Sequence, residues 1–239
     1  MTQKFVILTN PRTGSEYLAK YLNNHSKVKC MGEVFSIGPD GKEWNSSEYK
    51  KNKDIFGYLD HEYEKSDKEI CGYKQISNWI SNSGFIYQEE YIVAHYEQGY
   101  KFIFLTRNEM LRQYASFMLM MQKGYGHIAG EEQQKMSIYL NPQVAYMYIR
   151  KWIGFNKNCK RIFDSMDIPY LELVYEEDFG EDKKVKQKVC DFLEIEQEGI
   201  YDPLRRTNPY RIEEMIENYD EISEYMNKKG IEREICYES

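Results

Sequence analysis

An apolar run, Phe5-Val6-Ile7-Leu8, leads directly into Asn10-Pro11-Arg12-Thr13-Gly14-Ser15, and Tyr17, Leu18, Tyr21 and Leu22 follow at the spacing of one helix face. A buried strand, a tight Gly/Pro loop and a helix N-terminus in immediate succession constrain the fold more than any other stretch of the chain. Such a turn gathers backbone N–H groups and the positive end of a helix dipole at one point, which suits an anion. Arg12 adds a fixed positive fork, and Thr13 and Ser15 add hydroxyls. The usual nucleotide loop, G-x-x-x-x-G-K-[ST], is not matched: there is no Gly-Lys pair and only one loop glycine, Gly14, so an ATP site with Mg²⁺ is a poor fit. Taken alone, the loop is equally compatible with a plain strand–loop–helix turn bearing an exposed arginine.

A second strand-to-helix junction lies at Phe102–Gln122. Its apolar strand ends in Arg107, at the carboxyl edge where open α/β sheets bind ligands. A helix then begins, with Asn108 as its expected N-cap. Arg112 and Ser116 are four residues apart and share a helix face. Either arginine alone is as well read as a solvated charge at a helix start.

Together the two junctions resemble the sulfotransferases that use 3′-phosphoadenosine 5′-phosphosulfate (PAPS). In that family a P-[RK]-x-G-[ST] loop after the first strand holds the 5′-phosphosulfate, and an arginine at a later strand end, with a serine on the next helix, holds the 3′-phosphate. Pro11-Arg12-Thr13-Gly14-Ser15 matches the first element, continued by Glu16 and Tyr17, and Arg107 with Ser116 matches the second. The family's arginine-to-serine spacing is most often one residue shorter than the nine found here. The resemblance extends to Cys30-Met31-Gly32-Glu33-Val34-Phe35, where carbohydrate and tyrosyl-protein sulfotransferases place a catalytic glutamate. It extends also to Leu171–Glu176, similar to a strand end of "YED" type, and to Arg205-Arg206-Thr207-Asn208, where a late basic segment often closes over the nucleotide. Bacterial carbohydrate sulfotransferases are the nearest subgroup. The resemblance implies PAPS as co-substrate, no metal, and Pro11–Tyr17, Arg107, Ser116, Tyr175 and Arg206 as its ligands.

The 239 residues suit one α/β domain with a sizeable core. The net charge of −7 argues against a nucleic-acid surface and means that a polyanionic nucleotide must be drawn by local focusing. No apolar run approaches a membrane span, so a soluble, cytoplasmic protein is expected. Cys30, Cys71, Cys159, Cys190 and Cys236 form no C-x-x-C pair, and His25, His61, His95 and His127 show no ligand spacing, so reduced thiols and no structural metal are expected. Most of the 22 tyrosines suit helix packing, although aromatic faces also suit a sugar or an adenine.

Four apolar runs read as parallel strands, Lys4–Thr9, Ile70–Ile76, Lys101–Thr106 and Tyr170–Tyr175. Helical patterns lie near Ser15–Asn24, Phe85–Glu97, Asn108–Gln122, Pro142–Asp167, Asp182–Leu193 and Arg211–Asn227. This alternation predicts a central parallel β-sheet flanked by helices, around a P-loop-like strand–loop–helix core. Two polar segments, Ser36–Glu69 and Lys123–Asn141, read as long binding loops or disordered insertions that would carry acceptor specificity.

Sulfuryl transfer needs cations and N–H donors for the charge growing on the leaving phosphate, a base for the acceptor's proton, and an in-line arrangement. The Arg12–Tyr17 loop supplies the first, and so does Lys74, at a strand end on the same sheet edge; a solvent-facing lysine is the simpler alternative. Glu33 is the candidate base, with burial beside Met31, Val34 and Phe35 and the charge of Arg12 acting oppositely on it. His127 is the rival base. Tyr175 and Arg206 are weaker candidates for the 3′-phosphate and adenosine. The acceptor would be a hydroxyl of a carbohydrate or another small molecule. The competing functions are a kinase-like phosphoryl transferase, which Mg²⁺ dependence would mark, and a non-catalytic nucleotide- or anion-binding protein.

Overall fold

The computed structural model describes residues 2–123, 135–179, 182–198 and 210–231. Five strands, β1 (Gln3–Thr9), β2 (Val28–Cys30), β3 (Ile70–Ile76), β4 (Tyr100–Thr106) and β5 (Tyr170–Val174), form one all-parallel sheet in the order β2-β3-β1-β4-β5. The four strands expected from the apolar runs are all present, because strands covered on both faces read as continuous apolar segments. The fifth, β2, has three residues, too few to leave a pattern. β1 is central, and the chain crosses it in passing from β3 to β4. The carboxyl ends of β3, β1 and β4 therefore adjoin where the strand order reverses, which is where such sheets hold ligands.

Both faces are covered. Phe5, Ile7, Ile103, Leu105 and Leu173 pack against α1 (Ser15–Asn23) through Leu18 and Leu22, with Val185, Val189 and Leu193 of the Asp182–Leu193 helix in the same cluster. Val6, Leu8, Tyr73, Phe102 and Phe104 face the other side, with Ile162 and Phe163 of the long Pro142–Ser165 helix. A third cluster, beyond the sheet, joins Leu111, Tyr114 and Leu119 to Ile149, Trp152, Met215 and Met226.

Two expectations are corrected. Ser36–Glu69 is not a loop but carries α2 (Lys42–Ser46), α3 (Glu48–Lys51) and α4 (Ile55–Glu64), with Trp44, Ile55, Tyr58, Leu59 and Tyr63 in the core. The apolar positions of α4 do fall at helical spacing, but in a charged background. The Asp182–Leu193 helix is numbered below after α5 (Gln88–Glu97), α6 (Met110–Lys123), α7 (Pro142–Ser165) and α8 (Tyr175–Asp178), and is α9. The expected Arg211–Asn227 helix is broken into α10 (Ile212–Met215) and α11 (Tyr219–Lys228). Ile216 leaves the helix with extended backbone, φ −117° and ψ 114°, to bridge Ile138. Ile138 N–H donates to Met215 C=O at 3.0 Å and Glu217 N–H to Ile138 C=O at 3.1 Å, so strand-type pairing replaces the helical bonds. Residues 124–134 of the second polar segment lie outside the described residues.

Under β3 the Tyr73 hydroxyl reaches both the Tyr91 hydroxyl and His95 Nε2, and His95 Nδ1 lies 2.7 Å from Tyr91 C=O. With the carbonyl as acceptor, Nδ1 carries the proton and Nε2 accepts from Tyr73. His95 is fully buried, and burial pushes its pKa down to about 3. Between that value and the ordinary histidine value the unfolded chain binds a proton that the folded chain refuses. Stability from this group is complete above the unfolded pKa and is lost as pH falls below it. The wild-type chain should lose about 2 kcal/mol more than His95→Gln between pH 7 and pH 5, measured by urea unfolding. Equal losses would show that His95 does not control the acid limb.

Candidate active site

The loop after β1 is built from two left-handed residues, Arg12 (φ 64°) and Gly14 (φ 85°). Gly14 is also the residue before α1, and a Cβ there would stand 2.9 Å from Tyr175 Cδ2 and 3.2 Å from Phe179 Cε1. Position 14 thus requires glycine both for its backbone and for the aromatic ring lying on it. The loop is anchored from several elements. Thr9 Oγ1 donates to Leu105 C=O at 2.7 Å and shares a 2.6 Å hydrogen bond with Thr13 Oγ1. Asn10 Nδ2 donates to Asn156 Oδ1 at 2.8 Å, and Ser77 Oγ donates to Asn10 Oδ1 at 2.7 Å. Gln113 Nε2 donates to Pro11 C=O at 2.7 Å. The Thr13 hydroxyl, expected to face an anion, is therefore occupied within the loop, and the loop's offer to an anion is Arg12 and the N-terminal turn of α1, Ser15–Tyr17.

The two junctions singled out in the sequence meet here. Arg12 Nε donates to Ser116 Oγ at 3.1 Å, and Arg107 Nη1 donates to Arg12 C=O at 3.1 Å. The nine-residue spacing thus delivers Ser116 on α6 and Arg107 at the end of β4 to the same loop. Burial first, and then the like charge of Arg107, lowers the Arg12 pKa from its ordinary value. Both causes disfavour the cation, and a bound anion would relieve both. Arg107, 8% exposed, lies with its guanidinium carbon 4.5 Å from the centre of the Tyr175 ring. Arg112 turns elsewhere: its Nη2 donates to Tyr210 C=O at 2.6 Å. Asn108 does not occupy the cap position expected of it, because α6 starts at Met110.

Glu33 reaches the same edge through backbone pairing. After β2 the chain keeps running along β3, with Met31 N–H donating to Gly72 C=O and Lys74 N–H to Gly32 C=O, each at 2.9 Å. This leaves Glu33 Oε1 3.0 Å from Lys74 Nζ, whose other carboxylate partner is Glu16 Oε2 at 2.7 Å. Lys74 is 3% exposed and Glu33 27%. The solvent-facing alternative for Lys74 is excluded. Burial alone would lower its pKa, but Glu33 and Glu16 together outweigh burial and raise it. Lys74 is accordingly a fixed cation and not a base. The Glu16 carboxylate is directed at Lys74, so of Glu16 it is the backbone that belongs to the anion loop.

Glu176 is the residue that the sequence reading missed. It stands inside the Leu171–Glu176 motif, and its carboxylate accepts from Arg107 Nε and from the first N–H groups of the α6 turn. His127, Arg205 and Arg206 lie outside the described residues. Among the described residues, no group of three or more His, Cys, Asp or Glu side chains is arranged to hold a metal ion, and no helix is long and apolar enough to cross a membrane. Cys30, Cys71, Cys159 and Cys190 are buried free thiols; Cys236 is outside the described residues.

No family profile matches the chain, and no curated protein matches it. Among solved structures it is similar to a sulfotransferase from Alicyclobacillus acidocaldarius, with 15% identity, 98% of this chain and 96% of that one covered, and a TM-score of 0.54. The sulfotransferase domain from the curacin biosynthetic pathway aligns at 15% identity over 90% of this chain and 80% of that one, with a TM-score of 0.49. The first likeness is one of architecture: the chain has an α/β fold with a central parallel sheet. More particularly, that fold is the one seen in a sulfotransferase, over nearly the full length of both chains.

Proposed function

We propose that the protein is a PAPS-dependent sulfotransferase acting on a hydroxyl of a carbohydrate or another small acceptor. One observation carries the reading: Arg12, Ser116 and Arg107, from two separate junctions, adjoin at the sheet edge that also bears Lys74 and Glu33. Two clustered arginines beside a helix N-terminus suit a ligand with two anionic ends. In this reading Arg12 and the α1 N-terminus hold the 5′-phosphosulfate, and Arg107 with Ser116 holds the 3′-phosphate. Tyr175 and Arg206 stay as adenosine-side candidates. The donor supplies the sulfuryl group. Arg12 and the α1 dipole stabilise charge that grows on the phosphate side as the bond to sulfur breaks. Glu33 takes the proton of the acceptor hydroxyl as its oxygen bonds to sulfur. Lys74 holds the Glu33 carboxylate in place at 3.0 Å and, with its own pKa raised by Glu33 and Glu16, is already protonated and takes no part as a base.

The deciding experiment is calorimetric titration with adenosine 3′,5′-bisphosphate and with adenosine 5′-monophosphate. The wild-type chain should prefer the 3′-phosphorylated nucleotide. Arg107→Ala should lose about 1.5–3 kcal/mol of that preference, the scale of a hydrogen bond to a charged group. A wild-type chain without the preference, or a preference that survives Arg107→Ala, would overturn the assignment.

A further inference from the structure

The grip on Arg107 is more elaborate than a strand-end arginine needs. Glu176 Oε1 accepts from Arg107 Nε and from Glu109 N–H, each at 3.1 Å, and Oε2 accepts from Asn108 N–H at 2.8 Å. One carboxylate thus ties the guanidinium to the backbone turn that opens α6. Tyr175, the preceding residue, covers the face of the same guanidinium at 4.5 Å, and Arg12 C=O takes Nη1 at 3.1 Å. Arg107 is held on its face, on its Nε edge and at Nη1, with its side chain 8% exposed and that of Glu176 12%.

The element supplying that grip is itself fixed. Asp178, on the same short helix α8, accepts from Val174 N–H at 2.8 Å and from Lys188 Nζ at 2.7 Å. Burial would raise the Asp178 pKa, but the Lys188 bond and then the Val174 N–H outweigh it and hold it below the ordinary value. Asp178 thus fixes α8 to β5 and α9, and α8 in turn presents Glu176 to Arg107.

Charge alone makes this arrangement unfavourable for anion binding. Glu176 cancels the charge of Arg107, and Glu109 Oε2 lies only 3.5 Å from Nη2. What Glu176 supplies instead is orientation. A long side chain that is already immobile loses little further freedom when a ligand binds to the N–H groups left to it. We propose that Glu176 is the positioning residue for Arg107, holding the guanidinium in the orientation that selects a 3′-phosphorylated nucleotide. The proposal rests on the assignment of Arg107 to the 3′-phosphate.

The test compares Glu176→Gln and Glu109→Gln, which each remove one negative charge beside Arg107. Binding is measured calorimetrically with adenosine 3′,5′-bisphosphate and adenosine 5′-monophosphate. Glutamine replaces one carboxylate oxygen with an NH₂ donor, so its oxygen can serve the Arg107 Nε side or Asn108 N–H but sets a donor against the other. Glu176→Gln should weaken binding of the bisphosphate by roughly 3- to 10-fold, the scale of immobilising one long side chain, and leave the monophosphate unchanged. Glu109→Gln should not weaken the bisphosphate. A general loss of folding would weaken both nucleotides alike, so the ratio of the two affinities isolates positioning. If Glu176→Gln does not fold, Glu176→Asp replaces it: its carboxylate is set back by one methylene, and the same selective loss, of smaller size, is expected. An unchanged ratio, or bisphosphate binding tightened as in simple charge removal, would overturn the proposal while leaving Arg107 as a ligand. Absence of any preference in the wild-type chain would overturn both.

Discussion

Replacing Arg12 with alanine should slow sulfuryl transfer by roughly 10²- to 10³-fold, the usual loss when one preorganised charge-stabilising donor is removed. The guanidinium stands in the loop after β1, where burial and Arg107 both disfavour its charge. A phosphosulfate would restore what those surroundings withhold, and would do so most strongly as negative charge accumulates on the leaving phosphate. The substitution is informative because its structural side effects are small. Arg12 already occupies left-handed backbone at φ 64°, a region that costs alanine about what it costs arginine. The side-chain hydrogen bonds to Ser116 and Met120 Sδ are lost, but the loop's anchors at Thr9, Asn10 and Pro11 do not involve the Arg12 side chain. The melting temperature should therefore hold while the single-turnover rate collapses. Arg12→Lys should recover part of the rate, since it keeps the charge but not the planar fork. A rate for Arg12→Ala close to that of the wild type would remove the loop from the chemistry.

Glu33→Gln should lower the transfer rate by roughly 10²-fold or more while nucleotide binding is retained, because a general base is lost but no nucleotide ligand. Lys74 makes the test clean. The amide oxygen of glutamine can still accept from Lys74 Nζ, now 3.0 Å from Glu33 Oε1, and Glu16 at 2.7 Å continues to balance the ammonium. The pairing that holds the residue in place thus survives the loss of basicity. An unchanged rate would take Glu33 out of the mechanism and bring forward His127, on the segment beyond α6.

The strand–loop–helix at Phe5–Tyr17 was readable because each of its parts depends on local chemistry: an apolar strand, a glycine at a left-handed turn, a periodic helix. The same holds for β4, Arg107 and α6. Other features depend on register between distant elements, which no local pattern records. Lys74 and Glu16 are separated by 58 residues, and Glu176 meets the Asn108 N–H across 68. The Glu16–Lys74–Glu33 arrangement follows from β1 and β2 each pairing with β3, so it appears only once strand order is known. The helices of Ser36–Glu69 were hidden for a different reason. Their buried residues, Trp44 and Tyr58 among them, are outnumbered by charges that face solvent, and mean composition mistook a covering layer for a loop.

The anchors of the loop after β1 carry one more consequence, which concerns order in time. Residues 10–15 are synthesised well before the residues that shape them. The partners of Thr9, Pro11, Arg12 and Asn10 lie 96, 102, 104 and up to 146 residues downstream. Closing such long intervals costs entropy that local pairing cannot offset, so contacts of this kind form late. A nascent chain that stops short of Leu105 already holds the loop's sequence, but it lacks Leu105, Gln113, Ser116 and Asn156. Affinity for the proposed nucleotide would consequently arrive only after α7 has emerged, so such a ligand would stabilise the nearly finished protein but not guide the early stages of its folding.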